Sequence, residues 1–325
     1  MKLSSRITHV TLAAALALGL TSVAVADNYP SKNVTVVVPF PPGGTADQLA
    51  RTLGHKFSED WKQSVIVENR PGASGIIGSQ YVSKASPDGY TLVVIPMTHV
   101  TNASLYKKLP FDPLADFTPI SLIAESPVIL VVNKTLPVNS VADLIAYAKA
   151  NPGKLNCGSA GNGTSQHLGC ELFKSMAKVD IRHVSYKGNA AAMTDLIGGQ
   201  IEVMFDQMAT AVPHVQAGKV KPLGVSTLKR SPVLPTVPTI NEAGLPGYEM
   251  SAWFGLAGPA KMPADVVGKI QSSIVQAIGQ RDVNAQLSSL GLTLVGGAPN
   301  EFKVFLGTEL GKWAKVVKES GTQIE

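Results

Sequence analysis

Cys157-Gly158-Ser159-Ala160-Gly161-Asn162-Gly163-Thr164-Ser165-Gln166-His167 follows a short apolar run and opens an amphipathic one, the pattern of a strand, a turn and a helix in succession. Gly158, Gly161 and Gly163 let the backbone adopt positive φ and admit a close neighbour. Ser159, Thr164 and Ser165 add hydroxyls, and the helix that follows presents unpaired N–H groups at its positive end. Such a turn can hold an anion without a cationic side chain. Val38-Pro39-Phe40-Pro41-Pro42-Gly43-Gly44-Thr45-Ala46-Asp47-Gln48 has the same design near the start of the chain. Two such turns, one in each half, predict two lobes facing each other across a cleft. Gly43, Gly44, Thr45 and Ala46 would contact a guest from one side, and Ser159, Ala160, Gly161, Thr164 and Ser165 from the other.

Outward from these turns the chain reads as repeated strand–helix units. Asn33 to Phe40 is β-branched without alternation, as expected of a strand buried in a parallel sheet. Thr45 is expected as the N-cap of the next helix, with Gln48 completing a capping box and Asp47 complementing the helix dipole. Val65 to Asn69 and Tyr90 to Ile95 complete βαβαβ. Between them, Gly72, Gly75 and Gly78 follow the second strand rather than the first, so close helix–strand packing explains them better than a dinucleotide site. Thr98 and His99 fall at the carboxyl edge of a strand, where open α/β sheets bind ligands. Thr98 is a ligand candidate, whereas a lone His there is expected to pack. Residues 102–116 read as turn-rich, and Phe117 to Asn133 as one unusually long extended segment, broken at Ser126-Pro127, that crosses between lobes.

The second half repeats β-α-β-α-β, with polar residues after its strands at Tyr186-Lys187-Gly188-Asn189 and Asp206-Gln207. Trp253 to Pro259 is a second candidate crossing strand. The expected class is therefore α/β with two lobes, each a mainly parallel sheet flanked by helices. Residues 27–124 and 229–325 would form one lobe and 125–228 the other.

The first 26 residues carry Lys2 and Arg6, an apolar stretch from Val10 to Leu20 and the small-x-small box Ala24-Val25-Ala26. That is a secretory signal peptide cleaved after Ala26, and it places the mature protein in the periplasm. The remaining 299 of 325 residues exceed what one core usually serves. Without Lys2 and Arg6 there are 26 basic and 23 acidic residues, and no block of like charge, so nucleic acid is not an expected partner. Cys157 and Cys170 are close in sequence, and in an exported protein such a pair suggests a disulfide that closes the glycine-rich turn; two buried thiols are the alternative.

Catalytic patterns fail: there is no G-x-S-x-G elbow, no G-x-x-x-x-G-K-[ST] and no H-E-x-x-H. An enzyme is not expected, nor a metal or cofactor. A cleft of this kind closes on a guest by hinge motion, which is binding rather than catalysis. Asp206, at a strand end, could pair with a guest ammonium or serve as a capping carboxylate, and an aromatic acid could stack near Phe40, Tyr186 or Trp253.

Several stretches together resemble the Bordetella-uptake-gene (Bug) proteins, the extracytoplasmic solute receptors of tripartite tricarboxylate transporters. They are Val38 to Asp47, Glu68-Asn69-Arg70-Pro71-Gly72-Ala73, Pro87-Asp88-Gly89-Tyr90-Thr91-Leu92, Asn151-Pro152-Gly153-Lys154-Leu155, Gly158 to Leu168, Tyr186-Lys187-Gly188, Lys229-Arg230-Ser231-Pro232 and Lys312-Trp313. The resemblance runs along the whole mature length. It implies a two-lobed "Venus flytrap" of the type II binding-protein kind, a carboxylate held between the two loops partly through water, and delivery to a membrane permease. The guest would be a di- or tricarboxylate, an aromatic acid or an acidic amino acid, and the protein a monomer. A periplasmic sensory partner of a membrane signalling protein is the alternative role. The Cys157/Cys170 pair departs from many relatives and bears on loop rigidity.

Overall fold

Phe117–Asn133 is one continuous 17-residue strand, β4, and both lobes are built on it. In the computed structural model, which describes residues 29–320, the first half of β4 pairs antiparallel with β9 (Ser251–Pro259), from Phe117 opposite Pro259 to Pro127 opposite Ser251. From Val128 onward β4 pairs instead with β7 (Val203–Gln207) and β8 (Val220–Val225). The change of partner falls at Pro127, which has no N–H to give to a ladder. Immediately beyond it, the Val128 N–H donates to Ser226 Oγ and the Val128 carbonyl accepts from the Ser226 N–H, both at 2.9 Å.

Around β4 the full path is β2 (Val65–Asn69), β1 (Val34–Val38), β3 (Thr91–Pro96), β9, β4, β7, β5 (Asn156–Ser159) and β6 (Arg182–Ser185). β1 runs parallel to β2 and β3, and β5 runs parallel to β6 and β7. These parallel groups hold the two glycine-rich turns at their carboxyl ends. The antiparallel pairings of β9, β4 and β8, with the short β10 (Thr293–Leu294) beside β4, make the sheet mixed.

The core follows from the sequence pattern. Val34, Val36, Val37 and Val38 of β1 are all buried, as an unalternating β-branched run requires. Helix Thr45–Trp61 lays Leu49, Leu53 and Phe57 on the sheet. Helix Ile76–Ser83 approaches so closely that a Cβ on Gly78 would lie 2.9 Å from the Pro39 Cα, which bears out packing as the reason for that glycine. The last helix, Pro299–Ser320, is pinned by one carboxylate: Trp253 Nε1 of β9 and Trp313 Nε1 both donate to Glu309 Oε2 at 2.8 Å.

Three expectations are corrected here. Part of the stretch read as turn-rich is helical, Thr98–Leu105, because Thr98, His99, Val100, Thr101, Asn102 and Leu105 are all buried and tertiary packing outweighs a polar composition. Thr45 is not the N-cap of its helix: Gly44 is, without a side-chain cap bond. Cys157 and Cys170 are free buried thiols rather than a disulfide, and burial, followed by contact with Cys157, pushes the Cys170 thiol well up. The signal-peptide reading falls on residues outside those described.

Candidate functional site

A cavity of about 470 Å³ lies where the carboxyl ends of the parallel strands from both lobes meet. Five helices begin at it: Thr45–Trp61, Thr98–Leu105, Ser165–Ala177, Asn189–Gly198 and Met208–Gln216. Each contributes first-turn residues to the wall, among them Thr45 and Ala46, Thr98, Ser165 and Gln166, Asn189 and Ala190, and Ala209 and Thr210. Each helix start carries unpaired N–H groups and a partial positive charge. Their convergence, with Lys187 also on the wall, makes the cavity receptive to anions, although no arginine among the described residues lines it.

On the first lobe, Thr45 Oγ1 is buried with no hydrogen-bond partner among the described residues. The turn before it is held by Asp47. Its Oδ2 accepts from the Gly43 N–H at 2.9 Å and from Arg51 Nε at 3.0 Å, and its Oδ1 accepts from Asn69 Nδ2 at 2.9 Å. Burial pushes the Asp47 carboxyl up, but the bonds from Arg51, Gly43 and Asn69 outweigh it and hold the group below the usual carboxylate range. The charge of Asp47 is thereby compensated within its own lobe. Gln48 Nε2 donates to the Gly43 carbonyl at 3.2 Å and closes the same turn.

On the second lobe the glycine-rich turn spends most of its hydroxyls on itself. Thr164 caps its helix, accepting from the His167 N–H, while its Oγ1 donates to the Gly161 carbonyl at 2.7 Å. Ser159 Oγ lies 2.7 Å from His183 Nε2 and bonds Gly161 on both its N–H and carbonyl. Gly163 has φ +75°, and a Cβ there would meet Leu105 Cδ1 at 2.7 Å, so only glycine lets the two lobes approach at this point. The His167 ring accepts the Gly163 N–H on Nδ1 and stacks on His183 with centroids 3.9 Å apart. Burial, then the His183 charge, lowers His167 to about 3, and burial lowers His183 to about 4, so both are neutral at pH 7.

Of the residues expected from sequence, Phe40, Gly43, Gly44, Thr45, Ala46, Thr98, Ala160, Thr164 and Ser165 line the cavity. Ser159, Gly161, Tyr186 and Asp206 are not on its wall. Ser159 and Gly161 serve the internal bonds of the turn, and Tyr186 OH donates to Asp195 Oδ2 at 2.7 Å. Asp206 is fully buried behind the wall, with Oδ1 accepting from the Gln207 N–H and Thr210 Oγ1. His99 packs, as expected: it is buried against Phe111 and Phe117, with Nε2 2.9 Å from the Pro113 carbonyl.

Sequence reading missed Gln166, Asn189, Gln207 and Thr210 as wall residues, and His214 and Phe254 with them. Their signal was present: each of the first four lies in the first turn of a helix or immediately before one, at or beyond a strand's carboxyl end. Trp253, considered only as a stacking surface, also lines the cavity.

The sequence profile described as "Tripartite tricarboxylate transporter family receptor" matches residues 49–322. The chain is 32% identical to Protein BugT of Bordetella pertussis over 309 residues, covering 94% of this chain and 95% of that one. Among solved structures it is similar to R. palustris Rpa4515 with adipate, with a TM-score of 0.88 and 40% identity over 90% of this chain and 98% of that chain. It is also similar to MatC (Rpa3494) from Rhodopseudomonas palustris with bound malate, with a TM-score of 0.85 and 35% identity over 89% of this chain and 100% of that chain.

Proposed function

From the premise that the chain belongs to the tripartite tricarboxylate transporter receptor family, the Bug proteins, we propose that it captures a small organic acid in the periplasm and delivers it to the membrane subunits of a tripartite transporter. Family membership makes it a solute receptor and not an enzyme. One observation carries the choice of guest: five helix N-termini converge on one cavity, and the buried Thr45 Oγ1 beside them has no partner. A carboxylate there would accept the Thr45 hydroxyl and the N–H groups of Thr45 and Ala46, and charge-assisted bonds of this type are the strong ones.

On the other side the first-turn N–H groups of Ser165, Asn189 and Ala190 are the matching donors, with water bridging where the reach is long. Phe40, Met97, Trp253 and Phe254 would cover the carbon skeleton. The volume suits a di- or tricarboxylate, an aromatic acid or an acidic amino acid. The relatives solved with adipate and malate support the acid class.

Native mass spectrometry of the purified protein, followed by calorimetry against adipate, malate, citrate, glutamate and benzoate, tests the reading. At least one of these acids should bind at micromolar concentration or better. Binding of a sugar or a cation in place of every acid would reject it.

A further inference from the structure

The cleft wall contributed by Ser165, Gln166, Asn189, Gln207 and Thr210 is wired in one direction, and Asp206 stands at the head of the wiring. Gln207 Nε2 donates to Ser165 Oγ at 3.3 Å, Ser165 Oγ donates to Gln166 Oε1 at 3.2 Å, and Gln166 Nε2 donates to Asn189 Oδ1 at 3.1 Å. The Asn189 and Gln166 amides both lie near Asp206, whose Oδ2 is buried and has no hydrogen-bond partner among the described residues. An ionised carboxylate accepts only, so it favours turning the Asn189 NH₂ toward itself and the Asn189 Oδ1 toward Gln166. Each later amide and hydroxyl in the chain is then fixed in turn.

Two groups are left facing the guest with their polarity set. Gln207 has given one N–H of its amide to Ser165, which turns the nitrogen to that side, and among the described residues no donor meets its Oε1. Thr210 has one hydroxyl hydrogen, and both groups that can take it are acceptors: Asp206 Oδ1 at 2.9 Å and the Gln207 carbonyl at 3.0 Å. Its lone pairs remain for the cavity that both residues line. The negative charge of Asp206 behind them disfavours a guest carboxylate at this place.

We propose that Asp206 is a positioning residue that fixes the polarity of this wall, so that Gln207 Oε1 and Thr210 Oγ1 act as acceptors and select an acid that also carries a hydrogen-bond donor, a hydroxyl or an ammonium. This rests on the carboxylate reading of the cavity and refines it. The carboxylate is gripped by the helix starts and Thr45, and the donor is read on the opposite wall. A site built to pair a donor rejects the analogue lacking it, because its acceptors are then buried unpaired.

Calorimetry at pH 8 on succinate and adipate, each beside its 2-hydroxy and 2-amino derivatives, decides the matter in the wild-type protein and in Thr210→Val and Asp206→Asn. The donor-bearing acid of at least one series should bind about tenfold or more tighter than its parent. In Thr210→Val that ratio should fall to about threefold or less. Asp206→Asn, checked by thermal melting, should lower the ratio in the same way, because an amide can donate as well as accept and frees the chain to reverse. Preference for the hydroxy or the amino acid identifies which donor is read. Parent acids binding as tightly as their derivatives, or a preference that survives Thr210→Val, would overturn this proposal and leave carboxylate capture standing. If these acids and the wider acid panel are all silent, both readings fail together.

Discussion

Thr101 Oγ1 donates a 2.8 Å hydrogen bond to the Gly163 carbonyl, joining a helix of the first lobe to the glycine-rich turn of the second. Asn102 Nδ2 from the same helix donates to the Ser74 carbonyl at 3.1 Å, and a Cβ on Gly161 would sit 3.2 Å from Ser74 Oγ. The loop that shapes one wall of the cleft is thus held from the opposite lobe. A neutral hydrogen bond of this kind contributes about 1 kcal/mol, and leaving its buried acceptor unpaired costs somewhat more. Thr101→Val should therefore favour separated lobes and weaken acid binding by about fivefold. Calorimetry reads the loss and small-angle scattering the more open shape; unchanged affinity and shape would show that the bond does not hold the lobes together.

Thr45→Val should separate stability from binding. Thr45 Oγ1 is buried and has no hydrogen-bond partner among the described residues, so replacing it with a methyl removes a group whose burial is unfavourable. Melting temperature should stay level or rise, while acid affinity falls by about tenfold through loss of one charge-assisted bond. A parallel drop in both would mean that the hydroxyl has a structural partner.

Asp206 sets a pH dependence of definite sign. Burial pushes its carboxyl up to about 6, against the lowering influence of Thr210, the nearby Asn189 and Gln166 amides and the Gln207 N–H. The folded state therefore holds a proton that the unfolded state has lost between about pH 4 and 6, and this group's contribution to stability falls as pH rises through that window. Asp206→Asn cannot titrate. Its stability relative to wild type should move in the variant's favour from pH 4 to pH 7, by up to about 3 kcal/mol for a shift of this size. Denaturant melts at the two pH values test it, and a constant difference would refute it.

His99, His167 and His183 act in the opposite sense. Burial lowers them to about 4, about 3 and about 4, so the unfolded chain takes up protons that the folded one refuses. Their contribution is complete above the ordinary histidine value and is lost as pH falls from about 6.5 toward 4. His99→Gln should flatten part of the acid limb of the stability curve, as read by thermal melts in steps between pH 7 and 4. An acid limb of unchanged slope would place the His99 proton affinity near normal.

Cys157 and Cys170 should behave as inert thiols. Both are buried, and the Cys170 thiol is pushed well up, so the reactive thiolate is scarce. Native protein should resist a thiol-specific reagent and release two thiols on unfolding, and reductant should leave its melting temperature unchanged. Release of no thiol from the unfolded, unreduced protein would reinstate the disulfide.

Much of this architecture was legible because it is local. The valine run of β1 and the glycine-rich turns after β1 and β5 depend on residues a few positions apart. The long extended reading of Phe117 to Asn133 matched β4 residue for residue, with its break at Ser126-Pro127 coinciding with the exchange of partners. The helix Arg281–Ser289 was missed, since only Val283 and Leu287 are buried along it and its pattern is correspondingly faint.

The chain by itself determined that two glycine-rich strand–helix turns would offer unpaired N–H groups, because backbone geometry and helix starts are set by neighbours in sequence. Only the tertiary structure decided which hydroxyls remained for a guest. Ser159 was taken by His183, Thr164 by its own helix, and Asp206 was enclosed behind Gln207 and Thr210, while Thr45 was left unpartnered at the cavity. A hydrogen-bonding group bonds whatever lies within about 3 Å of it, and that neighbourhood exists only once distant segments have packed.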